Sequence, residues 1–214
     1  MPTPSELLAG LTTIANDAMW MAIAWHVVLL AAIVALAVGW HPRKRSATLG
    51  LAAPLASASA LAFAHGNPFN GVLLGAATLT LGLFALRGDN EEVAVGAPWE
   101  TLVAGMLLGF AWTYPHFLER GGWLAYLYAA PVGLVPCPTL SLALGFALLG
   151  GGIDRRVAAV LAAFGLFYGL FGVVRLGVRL DLGLVAGATA ALTIALRPTH
   201  PPIREPALAS HVLS

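Results

Sequence analysis

Between Trp123 and Gly150 the chain reads WLAYLYAAPVGLVPCPTLSLALGFALLG, 28 residues without one charged side chain. As a straight helix this stretch would run ~42 Å at 1.5 Å per residue, longer than a hydrocarbon core of ~30 Å. Its middle, from Pro131 to Pro138, holds three prolines and a glycine in eight residues. Each proline removes a backbone donor, clashes with the carbonyl four residues earlier and pushes its predecessor out of helical geometry. The sequence therefore predicts a broken helix, and non-helical backbone at membrane depth is tolerated only where it is buried in protein or lines a wet cavity. Proline is favoured at a first helical position, so Pro138 is expected to start a half-helix running to Gly150, with Cys137 as its N-cap. Thirteen residues or so carry that half-helix ~20 Å, which sets Cys137 inside the membrane.

Working outward, six more apolar segments flank this one: about Ala18–Trp40, Leu49–Ala64, Val72–Leu86, Trp99–Tyr114, Val157–Val174 and Leu182–Leu196. The expected fold is all-α, a polytopic transmembrane helical bundle of about seven spans over residues 1–197, the fifth broken by prolines. Some segments have only about 15 residues, near the short limit for a span, so six spans plus a re-entrant segment is the alternative. Residues 198–214 are proline-rich and are expected to form a cytoplasmic tail. Composition agrees: 59% of residues are hydrophobic and only 10% are charged, against roughly 25% charged in soluble domains, and mean hydropathy is +0.84. A net charge of +1, with no basic run longer than Arg43-Lys44-Arg45, leaves no electrostatic footprint for nucleic acid.

Lysine and arginine favour cytoplasmic loops. Arg43, Lys44, Arg45, Arg87, Arg155, Arg156, Arg197 and Arg204 fall after odd-numbered segments, whereas Arg120, Arg175 and Arg179 fall after even-numbered ones. This split predicts an N-terminus outside and a C-terminus inside, in a cytoplasmic (inner) membrane. The first 17 residues carry no Lys or Arg, so no cleavable signal peptide is expected. Small-xxx-small spacings at Gly105/Gly109, Gly165/Gly169 and Gly183/Gly187 let helices approach closely. Packing within one bundle is the simpler reading, and a homo-oligomer through these faces is the other.

Polar residues collect at one end of the expected bundle. Asn16 and Asp17 precede the first span, His65, Asn67 and Asn70 link the second to the third, Tyr114 and His116 follow the fourth, and Asp181 precedes the last. His26 lies nine residues past Asp17, ~13 Å deeper by helical rise, and an ionisable residue within a span is a functional hypothesis by default. The lone cysteine excludes an intramolecular disulfide and a CxxC pair. The helix dipole favours its thiolate and burial opposes it.

The order of these features resembles a group of bacterial multi-span membrane proteins catalogued as domain of unknown function 6064. The likeness rests on Asn16-Asp17-Ala18-Met19-Trp20, Asn67-Pro68, Tyr114-Pro115, Gly133-Leu-Val-Pro136-Cys137-Pro138-Thr139 and Leu180-Asp181-Leu182-Gly183-Leu184, and it covers most of residues 14 to 196. The resemblance implies the topology and the choice of site residues and carries no function. Two of the histidines, His65 and His116, are outside its pattern.

The leading expectation is a transporter or carrier for a small solute or soft metal ion. Its binding residues would be Cys137, Asp17, His26, Asn67, Tyr114, Thr139 and Asp181, built as carriers build midplane sites from half-helix ends. A thiol favours a soft or borderline metal ion, with His26, His65 and His116 as further ligands. The competing classes are a membrane enzyme or redox subunit, with Cys137 as nucleophile or His65 and His116 on haem, and a non-catalytic assembly subunit. The only lysine, Lys44, lies in a loop, which excludes a retinal Schiff base.

Overall fold

A computed structural model of the chain describes residues 3–119 and 121–197. The expected tail over 198–214, with Arg204, lies outside the described residues, as does Arg120. Among the described residues the structure is all-helical: α1 (Pro4–Asp17), α2 (Met19–Ala37), α3 (Lys44–Ala64), α4 (Pro68–Arg87), α5 (Pro98–Thr113), α6 (Tyr126–Ala129), α7 (Pro136–Leu149), α8 (Arg155–Leu170) and α9 (Leu182–Ala195). A 3-10 turn (Trp123–Ala125) leads into α6, a π-helical turn (Phe171–Arg175) prolongs α8, and a second 3-10 turn (Arg179–Asp181) leads into α9.

Four segments are long and apolar enough to cross a membrane: α2, α3, α4, and α8 with its π turn. The remaining apolar helices are shorter, 16 residues in α5 and 14 each in α7 and α9.

The helices start where local chemistry supplies a start. Proline occupies the first position of α1, α4, α5 and α7, where a missing N–H is no loss. Thr3 and Glu6 close a capping box on α1, and the Asn67 and Asp154 side chains cap α4 and α8.

At the bundle's centre stands α7, of which every residue except Phe146 and Leu149 is buried. It packs against α3, α5, α8 and α9. In contrast, α2 buries only Ala22, His26 and Leu29. Two of the small-residue pairs lie inside the bundle: a Cβ on Gly165 would meet the Ala188 Cβ at 2.8 Å, and one on Gly169 would meet Val185 Cγ2 at 2.7 Å. The Gly183/Gly187 pair faces Phe110 and Leu107 of α5, whereas Gly105 and Gly109 have nothing within 4 Å.

The expected break is present, with its details corrected. Residues 130–135 are non-helical, α6 is a single turn, and α7 starts at Pro136 rather than Pro138, with Val135 as N-cap and Cys137 inside the first turn. Two prolines fit there because Pro136 and Pro138 both fall among the first residues, whose N–H groups have no intrahelical acceptor. Gly133 makes the turn with φ +75°, and a Cβ there would overlap the Trp25 indole. The α1 helix, which precedes the first apolar segment, is a separate element that ends in a corner at Ala18 (φ −103°, ψ 22°).

The two ends of the bundle differ. One end, here the arginine end, is stitched by Lys44–Glu91 at 2.6 Å, by Arg155 donating to the Ala195 carbonyl at 2.9 and 3.0 Å, and by the Arg197–Glu100 pair. The other, the cysteine end, holds the start of α7, the π turn and Asp181.

Candidate functional site

At the cysteine end, three elements bring one carboxyl, one thiol and one phenol together. Asp181 closes the 3-10 turn before α9 and is 1% exposed. Its Oδ1 accepts from the Tyr114 hydroxyl at 2.8 Å, and its Oδ2 accepts from Cys137 Sγ at 3.2 Å. Tyr114 is the C-cap of α5 and Cys137 is the second residue of α7. The carboxyl therefore sits by the N-terminal ends of α7 and α9, whose dipoles favour negative charge. No ion pair reaches Asp181 among the described residues.

The π turn brings its backbone against this group. A Cβ on Gly172 would overlap Asp181 Oδ2 and lie 2.8 Å from Cγ, so only glycine lets the carboxyl stay where it is. A π turn arises from one inserted residue and recurs at functional sites. Beside it, the Tyr168 hydroxyl donates to Asn70 Oδ1 at 3.2 Å, and the Asn67 side chain accepts from Asn70 N at 3.2 Å. Cys137, Asp181, Asn67, Asn70, Tyr168 and Gly172 all line one small cavity of about 30 Å³, roofed by Leu7, Leu11 and Phe117. That volume holds a water molecule or two, or an ion stripped of most of its shell.

Of the residues named from sequence, Cys137, Tyr114 and Asp181 meet, and Asn67 lines the same cavity as Cys137 and Asp181. Thr139 does not line it. Its hydroxyl accepts from Gly133 N at 2.9 Å and donates to the Val135 carbonyl at 2.6 Å, which ties the broken backbone to the first turn of α7. Asp17 is at the surface, its side chain 63% exposed and 3.8 Å from His65 Nε2.

The histidines stay apart from the thiol. His26 is buried, with Nδ1 2.8 Å from the Ala22 carbonyl and Nε2 3.0 Å from the Trp112 carbonyl, and so links α2 to the end of α5. The exposed His65 engages the Leu61 carbonyl with Nδ1. His116, in the loop after α5, packs edge-on against Phe117, and burial holds its imidazole below the ordinary value. Among the described residues no three His, Cys, Asp or Glu side chains gather as a metal site. The expected set of Cys137 with His26, His65 and His116 is therefore not assembled: His26 bridges α2 and the end of α5, His65 engages the carbonyl one turn back, and His116 packs on Phe117.

Sequence reading did not single out Tyr168, Gly172, Leu7, Leu11 or Phe117. The available signals were the phenol at the end of an apolar span and the glycine within Phe171-Gly-Val-Val-Arg175. A second cavity, of about 370 Å³, lies between α2, α3 and α7 and is lined mainly by apolar side chains. No family model, curated protein or solved structure matches the chain.

Proposed function

We propose that the chain is a seven-span carrier of a small cationic solute, with Asp181 as the acidic group that receives it and Cys137 and Tyr114 as its partners. The observation that carries this reading is the Asp181 carboxyl itself: buried, held by two donors, without a cationic partner among the described residues, and facing a cavity. A buried carboxylate left unpaired is expensive, and a proton or a small cation in the cavity removes that expense. With a cation bound, the carboxylate gains a counter-charge; when the cation leaves, its two hydrogen bonds remain.

Cys137 extends the range toward soft or borderline ions. One sulfur and one carboxylate fall short of the four ligands of a structural zinc site, which favours passage over residence, since a conducted ion must leave as readily as it enters. In the orientation that the Lys/Arg split supports, the cysteine end faces outside and the arginine end faces the cytoplasm. We also propose membership of the family catalogued as domain of unknown function 6064, and a homo-oligomer through the unpacked Gly105/Gly109 face of α5.

The test is flux into proteoliposomes, with protons, K+ and Zn2+ as separate probes. Asp181→Asn removes the charge and keeps the shape. It is expected to lower uptake of the transported probe at least ~10-fold, the effect of about 1.4 kcal/mol, with thermal stability retained. Cys137→Ser is expected to lower Zn2+ uptake more than proton or K+ flux. Wild-type flux of every probe in Asp181→Asn would overturn the reading and leave the cluster as a structural clasp.

A further inference from the structure

Resting on the reading of the Asp181 cavity as a transport site, we propose that α1 is the gate of that site and that Asn16 is its latch. The helix lies on the bundle along one face. Leu7 and Leu11 roof the cavity, and Ile14 and Ala15 are buried behind them. Cys137 and Asp181 line the same cavity. To uncover those two groups from this side, nothing in the transmembrane bundle has to be taken apart. It is enough for α1 to swing about the corner at Ala18, where the helical path between α1 and α2 is already interrupted.

Beside the buried Leu11, Ile14 and Ala15, the polar ties that hold α1 down are few and local. Asn16 Nδ2 donates to the Phe117 carbonyl at 2.9 Å, and Asn16 Oδ1 accepts from Glu119 N at 3.1 Å. The same amide also donates to the Thr12 carbonyl within α1 at 2.8 Å, which fixes the side chain's rotamer toward the loop. Apart from the exposed Asp17–His65 contact at 3.8 Å, these are the polar ties from α1 to other elements among the described residues. The latch and the roof are coupled through Phe117. Its carbonyl receives Asn16, its ring lines the cavity and stacks on Tyr114 with centroids 6.0 Å apart, and its backbone is held at φ +79°. A non-glycine residue in that region persists only where its surroundings hold it. Releasing Asn16 thus loosens both the helix above the cavity and the ring beside the phenol that donates to Asp181.

The single cysteine reports on this directly, because Cys137 lies on the cavity wall and no other thiol competes. The experiment follows the reaction of the full chain in detergent with a charged methanethiosulfonate reagent. In the wild type, labelling is expected to be slow. Asn16→Ala should speed it at least ~10-fold, the ratio that corresponds to about 1.4 kcal/mol of lost closure. Asn16→Asp, which keeps the acceptor for Glu119 N and loses the donor, should fall between the two. Should Asn16→Ala fail to fold, Leu11→Ala opens the roof from the other side and is expected to accelerate labelling as well. Leu81→Ala, in the buried core of α4 and away from the cavity, is the control for general loosening.

An unchanged rate in both Asn16 variants overturns the gate. So does an equal acceleration in Leu81→Ala at matched thermal stability, since the exposure would then come from global opening. Failure of the transport reading is separately visible: if Asp181→Asn carries wild-type flux while the labelling pattern holds, α1 covers a site of another kind.

Discussion

Gly172→Ala places a methyl where the structure puts Asp181. The new Cβ would overlap Oδ2 and come within 2.8 Å of Cγ and 3.2 Å of Cβ, and the opposing atoms belong to a buried carboxyl that is held on two sides. The side chain must swing away, and Asp181 then loses its bonds from Tyr114 and Cys137. A hydrogen bond to a charged acceptor contributes ~1.5–3 kcal/mol net, and the thiol is the weaker donor. The loss therefore comes to about 3 kcal/mol. Replacing a helical glycine returns at most ~1 kcal/mol, which leaves a net destabilisation of about 2 kcal/mol.

The double variant with Asp181→Ala isolates the cause. It leaves only the Cβ at 3.2 Å, a contact relieved by a shift of a few tenths of an ångström, so alanine at 172 should then be neutral or mildly stabilising. The coupling between the two positions is expected near 2–3 kcal/mol, at the upper end for residues in contact. Reversible unfolding in mixed detergent micelles measures all four proteins. Gly183→Ala serves as control, since its Cβ would meet Phe110 at an ordinary 3.7 Å. If alanine at 172 destabilises equally in both backgrounds, or by less than about 0.5 kcal/mol in the wild type, a surface-like change, the close approach of the π turn to Asp181 is wrong.

Gly133→Ala would set a Cβ against the Trp25 indole at a position with φ +75°. It is expected to cost ~3 kcal/mol or more, as overpacking and backbone strain combined do, read as a lowered midpoint in the same unfolding assay. Arg197→Ala leaves Glu100 buried, with the Ala97 amide at 2.9 Å as its remaining partner. The guanidinium is half exposed, at 48%, which discounts the 3–5 kcal/mol of a fully buried pair to about 2 kcal/mol. Glu100→Gln in the Arg197→Ala background should restore part of that stability, and no restoration would mean that the charge left behind is not what destabilises the single variant.

The break in the fifth apolar segment was legible because it depends on proline chemistry local to eight residues, and the structure interrupts the helix there. Its finer form was not legible. Pro136 and Pro138 are both acceptable in a first turn, and the start at Pro136 goes with the Thr139 hydroxyl tying Gly133 and Val135 to α7, a contact that spacing alone does not announce. The meeting of Tyr114, Cys137 and Asp181 was anticipated only as residues sharing one end of the bundle. That they share hydrogen bonds follows from the π turn and the 3-10 turn, which shift the register of the chain after α8 and have no composition signature. Lone histidines were the weakest guide. Both ring nitrogens of His26 lie within hydrogen-bond distance of a carbonyl, and His65 and His116 are engaged with their own surroundings, outcomes that any apolar context supports as readily as a ligand site.

The chain itself supplies the comparison that bears most on function. Among the described residues, two carboxylates are about 1% exposed, Glu100 and Asp181. Glu100 is treated as a buried structural charge is expected to be: a guanidinium faces it, a backbone amide satisfies it, and it joins the start of α5 to the end of α9. Asp181 has arginines as near in sequence as Arg175 and Arg179, yet neither forms an ion pair with it. It is held instead by a phenol and a thiol, neutral donors that fix its position without cancelling its charge, and it has a cavity on its open side. A clasp between helices would gain from a paired arginine, as Glu100 does. A site that must accept a cation and release it would lose its purpose to one, because a resident guanidinium competes with the cargo for the same two oxygens.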